Sequence, residues 1–61
     1  MGDATRQEEK HLLIIDDEAN MRHMLGLLLG RAGYCIDGAA DGEEALKLVQ
    51  EKSYRFILCD L

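Results

Sequence analysis

The 61-residue sequence has no proline and no tryptophan, and only two cysteines, Cys35 and Cys59. Two thiols are too few for the disulfide framework of a small secreted domain. Its apolar runs are only a few residues long, so no segment is a candidate membrane span. Residues 1–10 are polar and lack the apolar core of a signal peptide. Arg6 also stands where a myristoylation signal requires Ser or Thr. These absences lead us to expect a flexible polar tail over residues 1–10 and a cytoplasmic location. Cations are scarce as well: 7 Lys+Arg stand against 12 Asp+Glu, a net charge of -5. That balance disfavours direct binding to nucleic acid, which draws on neutralisation of phosphates, and binding to anionic membrane surfaces.

What is present is a globular composition, 48% hydrophobic and 31% charged. A chain of this length buries only about 60% of the surface exposed when it is unfolded. Chains this short commonly draw their stability from a disulfide, a metal or a partner.

Leu12-Leu13-Ile14-Ile15 is an unbroken apolar block bounded by His11 and Asp16. Such a run predicts a strand covered on both faces, as in parallel sheets. Met21, Met24, Leu25, Leu28, Leu29 and Ala32 then recur at helical spacing and predict a helix with that stripe toward the core. Gly33 suits the left-handed position after the helix, and Arg31 suits its negative end. Gly26 either permits a close approach of another element or is simply tolerated in the helix. Tyr34 to Asp37 has strand character. Asp41 is a good N-cap for a second helix with Glu43 and Glu44 in its first turn and Ala45, Leu46, Leu48 and Val49 on its apolar face. Phe56-Ile57-Leu58-Cys59, closed by Asp60, reads as a third strand. The order β-α-β-α-β with apolar strands predicts an α/β fold with a parallel sheet and right-handed helical crossovers.

Asp16 and Asp17 follow the first strand, and Asp60 follows the third. Parallel strands end on the same side, so these carboxylates converge on one edge if the two strands are neighbours. Open α/β sheets bind ligands at that edge. Crowded carboxylates repel, and a hard divalent cation such as Mg²⁺ relieves the repulsion. A carboxylate beside such an ion can act as a nucleophile toward a phosphoryl group. Asp17 or Glu18 could equally just cap the following helix, and spacing alone leaves both readings open.

The segments Leu12-Leu13-Ile14-Ile15-Asp16-Asp17-Glu18, Asp41-Gly42-Glu43-Glu44-Ala45-Leu46 and Phe56-Ile57-Leu58-Cys59-Asp60-Leu61 resemble the receiver domain of two-component response regulators. Arg22 and Gly33-Tyr34 add to the likeness, which runs from His11 to Leu61. The resemblance implies a truncated flavodoxin-like, doubly wound fold with parallel strands in the order 2-1-3. Residues 11–61 would be the N-terminal half of the domain. It implies Asp60 as phosphoacceptor, Asp17 as a direct Mg²⁺ ligand, and Asp16 completing the metal pocket with Asp60. It also implies a sensor histidine kinase as phosphodonor and a signalling domain, not an enzyme. The family's switch Ser/Thr, its Lys at the end of the fifth strand and a metal-ligating carbonyl two residues after the phosphoacceptor fall beyond Leu61. The fragment by itself is therefore expected to be inactive.

A different class of function, a self-associating module without phosphotransfer, follows from the third strand. With no strand beyond it, Phe56–Asp60 is an apolar edge that invites a homo-oligomer. A fragment of a Mg²⁺-dependent phosphatase is a third reading, although no second catalytic acid follows Asp60. Cys35 and Cys59, on strands flanking the first, are expected as buried thiols too far apart to bridge. His11 and His23 are expected at the surface or its boundary, and Tyr34 and Tyr54 at element ends.

Overall fold

The structure, a computed structural model, describes residues 10–60. The expected tail therefore lies, apart from Lys10, outside the described residues. The elements run β1 (His11–Asp16), α1 (Ala19–Arg31), β2 (Cys35–Ala39), α2 (Gly42–Glu51) and β3 (Phe56–Asp60). The three strands form one parallel sheet in the order β2-β1-β3. This is the truncated flavodoxin-like arrangement expected from the sequence.

β1 is central because its side chains are apolar on both faces. Leu13 and Ile15 pack with Ala39 of β2 and Ala45 of α2, and Leu48 and Tyr54 close over them. The alternate residues Leu12 and Ile14 are also buried. Their register partners on β2 are Ile36 and Gly38. Gly26 of α1 lies against Ile36, and Arg22 of α1 lies over Gly38. The two helices thus cover opposite faces of the β1–β2 pair.

The helix ends follow local chemistry. The Asp41 carboxylate accepts the Glu44 N–H at 2.9 Å, while the Glu44 carboxylate accepts the Ala40 N–H at 2.6 Å. Together they cap α2 reciprocally. At the end of α1, the Tyr34 N–H bonds the Leu29 carbonyl at 3.2 Å and the Gly33 N–H bonds the Gly30 carbonyl at 3.0 Å. This is a Schellman closure. It puts Gly33 at φ 102°, a region disfavoured for residues with a Cβ.

Three expectations are corrected. The residues of α1 turned toward the sheet are Arg22, Leu25, Gly26 and Leu29, whereas Met21, Met24 and Leu28 are exposed, Met24 by 55%. The apolar arc of α1 is wider than the two strands it covers, so one flank stays open. On α2, Ala45 is buried and Leu48 half-buried, but Leu46 and Val49 are exposed. Cys35 and Cys59 are exposed free thiols, not buried ones. Cys35 opens an edge strand, and Cys59 lies on β3, whose five residues are all exposed. Cys35 aligns with His11 and Cys59 with Ile15, on opposite sides of β1. From strand spacing and rise they are roughly 16 Å apart, beyond any bridge.

From the middle of β2, Asp37 ties that strand to the segment before β3. Its carboxylate accepts from the Tyr54 hydroxyl at 2.5 Å and from the Lys52 ammonium at 3.0 Å. The Tyr54 bond, then Lys52, hold the Asp37 carboxyl below the usual range against the opposing effect of burial. Burial, reinforced by Asp37, pushes the Tyr54 phenol up to about 12. Tyr54 also stands beside the ring of His11, and Tyr34 meets Phe56 edge-on across β1, so both tyrosines pack at element ends.

Two expected outcomes follow. Gly33→Ala lowers unfolding stability by about 1–2 kcal/mol in urea titration, the cost of a Cβ in left-handed backbone. An unchanged midpoint would contradict the Schellman closure. At fixed protein concentration, the depressed Asp37 carboxyl contributes stability above its ordinary value of 3.8, and loses it as pH falls through its lower folded value. The raised Tyr54 phenol contributes below its ordinary 10.0, and that share disappears as pH climbs toward about 12. Tyr54→Phe therefore makes the acid limb shallower and removes the alkaline one. Superimposable pH profiles for the two proteins would refute the link.

Candidate functional site

The three parallel strands deliver their C-terminal ends to one edge of the sheet, and that edge is acidic. Asp16 closes β1 and is the register partner of Asp60, which closes β3. The pairing places the two aspartates on adjacent strands, about 4.8 Å apart in backbone spacing, on the same side of the sheet. Asp17 and Glu18 extend from β1 into the turn before α1. Asp16, Asp17, Glu18, Met21 and Asp60 line one open depression. The sequence-predicted site residues Asp16, Asp17 and Asp60 thus share a single feature of the surface.

Their environments differ. Asp16 is only 5% exposed and is fixed by its neighbours. Its carboxylate accepts the Glu18 N–H at 2.9 Å, which shapes the turn into α1. The guanidinium of Arg22, just over one helical turn on, donates to the Asp16 carbonyl at 2.6 Å. Asp17 and Asp60 are exposed. The capping alternative is not realised by the side chain of Asp17 or of Glu18. Glu18 occupies the N-cap of α1 without a side-chain bond, and Asp16 supplies the local acceptor. Asp17 therefore stays free of a capping role, and among the described residues Asp60 is placed by its register with β1.

The positive end of α1 opens beside these carboxylates and offsets part of their mutual repulsion. The donor set consists of carboxylate oxygens, the hard ligands that Mg²⁺ takes. Among the described residues, no three His, Cys, Asp or Glu side chains lie close enough together to cage a metal. Mg²⁺ commonly keeps several waters and takes one or two carboxylates, so the arrangement suits that ion in donor type without forming a closed cage.

Two participants escaped sequence reading. Arg22 tethers the end of β1, and the usable signal was a cation one turn into the helix that follows an acidic strand end. Met21 forms the apolar wall of the depression. Its spacing fits the helical stripe that periodicity turns toward the core. A second acidic group, Asp41, Glu43 and Glu44, lies at the end of β2. There, Asp41 and Glu44 are occupied in capping α2.

Among the described residues, no helix is long and apolar enough to cross a membrane. Comparison with known proteins places the chain in a family. The family model of the response regulator receiver domain matches residues 12–61. The chain is 43% identical over 53 residues to the transcriptional regulatory protein ResD of Bacillus subtilis, covering 87% of this chain and 22% of that protein. It is 42% identical over 55 residues to the probable transcriptional regulator ycf27 of Cyanidium caldarium, covering 90% of this chain and 22% of that one. It is 42% identical over 50 residues to the transcriptional regulatory protein SrrA of Staphylococcus aureus, covering 82% and 21%. The chain thus spans about a fifth of the length of these curated relatives. No solved structure matches it significantly. With a parallel 2-1-3 sheet, paired aspartates at its carboxyl edge and a family match over nearly all the described residues, the chain belongs to the response regulator receiver domain family of two-component systems.

Proposed function

We propose that residues 11–61 carry the phosphoacceptor edge of a receiver domain, with Asp60 accepting a phosphoryl group from a sensor histidine kinase. The observation that carries this reading is the register of Asp16 with Asp60 above an open acidic depression. Asp60 is an exposed carboxylate at a strand end, so a donor can reach it. Asp17, exposed beside it, and Asp60 are the oxygen donors for Mg²⁺. Asp16, held by the Glu18 N–H and Arg22, completes the pocket from behind. The ion, when bound, neutralises charge gathering on the phosphoryl oxygens.

The residues of this chain perform the rest. The carboxylate of Asp60 attacks phosphorus, and the leaving nitrogen of the donor histidine keeps the bonding pair. Asp16 and Arg22 hold the end of β1 rigid, so that the paired β3 end keeps its position. A family role in signalling and the absence of a spanning helix among the described residues support a cytoplasmic setting. The net charge of -5 argues against direct nucleic-acid or membrane contact by this segment. Among the described residues, no lysine and no switch hydroxyl lines the acidic depression. By themselves they would therefore take up phosphate poorly.

Acetyl phosphate tests the reading. With Mg²⁺ present, intact-mass analysis is expected to show a substoichiometric phosphoryl adduct that maps to Asp60. It vanishes with EDTA or in Asp60→Asn, and it falls at least about tenfold in Asp17→Asn. An adduct that survives Asp60→Asn, or that ignores Mg²⁺, would overturn the assignment.

A second reading rests on β3. All five of its residues are exposed, Ile57 by 52%, so the edge and both faces of the strand are open. Such a strand supports self-association of the chain as an assembly module. Light scattering behind size exclusion decides this: a multiple of the 6.9 kDa chain mass is expected, and a folded monomer at micromolar concentration would refute it.

A further inference from the structure

We propose that Tyr54 is a positioning residue for Asp60: its hydroxyl, bonded to Asp37, fixes where β3 stands along β1. The inference rests on the phosphoacceptor reading above and adds to it the group that places the acceptor.

The need for such a device follows from composition. β1 offers Leu12-Leu13-Ile14-Ile15 and β3 offers Phe56-Ile57-Leu58-Cys59, and neither run alternates. A slip of one residue or two still sets apolar against apolar, so side-chain pairing discriminates weakly between registers. The acidic edge discriminates sharply. A one-residue slip turns Asp60 to the other face of the sheet, and a two-residue slip carries it roughly 7 Å along the strand. Mg²⁺ holds its oxygens at about 2.1 Å, so two carboxylates that share one ion tolerate neither displacement.

The contacts that choose the register stand at the entry to β3. The Arg55 N–H donates to the His11 carbonyl at 2.9 Å, where the ladder with β1 begins. One residue earlier, Tyr54 packs on the core formed by Leu13, Ile15, Ala39 and Ala45, on the α2 side of the sheet. Its hydroxyl donates to the Asp37 carboxylate at 2.5 Å. Asp37 belongs to β2, and β2 and β3 flank β1 about 10 Å apart. The phenol is therefore a strap laid across the central strand. A slip of one residue would move its hydroxyl about 3.3 Å from the acceptor and break the bond.

The neighbouring contacts are more forgiving. Lys52 meets the same carboxylate at 3.0 Å, but its side chain is 42% exposed and its flexible stem can follow a slip. On the α1 side, Tyr34 meets Phe56 edge-on with ring centroids 5.7 Å apart, which holds the strand close without a directional bond. Beyond the strap β3 is extended and cannot shorten, so the position set at Tyr54 is carried along the strand to Asp60.

The test uses the full 61-residue chain and Mn²⁺ as the probe. In the unmodified chain, amides of residues 16–18 and 59–60 should broaden together as Mn²⁺ is added. In Tyr54→Phe, residues 59–60 should need about fivefold more Mn²⁺, while residues 16–18 stay within about twofold. Asp37→Ala should separate the two groups in the same way. Asp37→Asn keeps an acceptor for the hydroxyl and loses the Lys52 ion pair, and should keep the groups in step. Leu25→Ala, a loss of packing on the α1 side, should lower stability and also keep them in step. If neither group broadens in the unmodified chain, the metal reading of the acidic edge fails and this inference falls with it. If both broaden but stay in step in Tyr54→Phe and Asp37→Ala, or separate equally in Leu25→Ala, this inference alone is overturned.

Discussion

Both sides of the sheet depend on the parallel pairing of β1. It has a strand on each edge, and its buried residues Leu12, Leu13, Ile14 and Ile15 supply most of the core. Leu13 is fully buried under α2, and Ile14 is nearly so on the side of α1. No other strand of the sheet is held in this way. β2 is anchored by its register with β1 and by the Asp37–Tyr54 bond. β3 is held by its register with β1 and by little else, since its side chains are exposed on both faces. The same register that orders β3 also sets Asp60 beside Asp16. Stability and site geometry are therefore one constraint: whatever loosens the β1–β3 pairing also scatters the acidic edge.

Much of this was legible in the residue pattern. The solid block from Leu12 to Ile15 suggests a strand covered on both sides, and the structure places it at the centre. Asp41 three residues before Glu44 announced the cap of α2, and Gly33 announced the left-handed end of α1. Asp16 and Asp60, each closing an apolar block, were already candidates to meet if their strands were neighbours. The 2-1-3 order that makes them neighbours came from the family resemblance, because right-handed crossovers alone do not choose between it and other parallel orders.

What stayed illegible depended on which surfaces have partners. Periodicity shows that Met21, Met24 and Leu28 share a helix face, but not whether anything packs against it. In this fold the sheet reaches only Arg22, Leu25, Gly26 and Leu29. Cys59 lies on an apolar strand, and strand composition suggests burial. Its exposure is a property of the empty edge, not of the residue. The role of Asp16 as the acceptor for the Glu18 N–H was hidden for a similar reason. Sequence offered three adjacent acids and no means to choose which one would turn inward.

The division of labour among these acids is the central claim: Asp16 is buried and structural, while Asp17 and Asp60 face outward, where we propose that they serve a cation and a phosphoryl group. The competing carboxylate group, Asp41, Glu43 and Glu44, lies at the end of β2 and is similar in net charge. Paramagnetic broadening by trace Mn²⁺ separates the two most directly. The account predicts that amide signals of residues 16–18 and 59–60 broaden first, with residues 41–44 affected only at higher metal. Broadening that begins at residues 41–44, or that spreads evenly over both acidic groups, would contradict it.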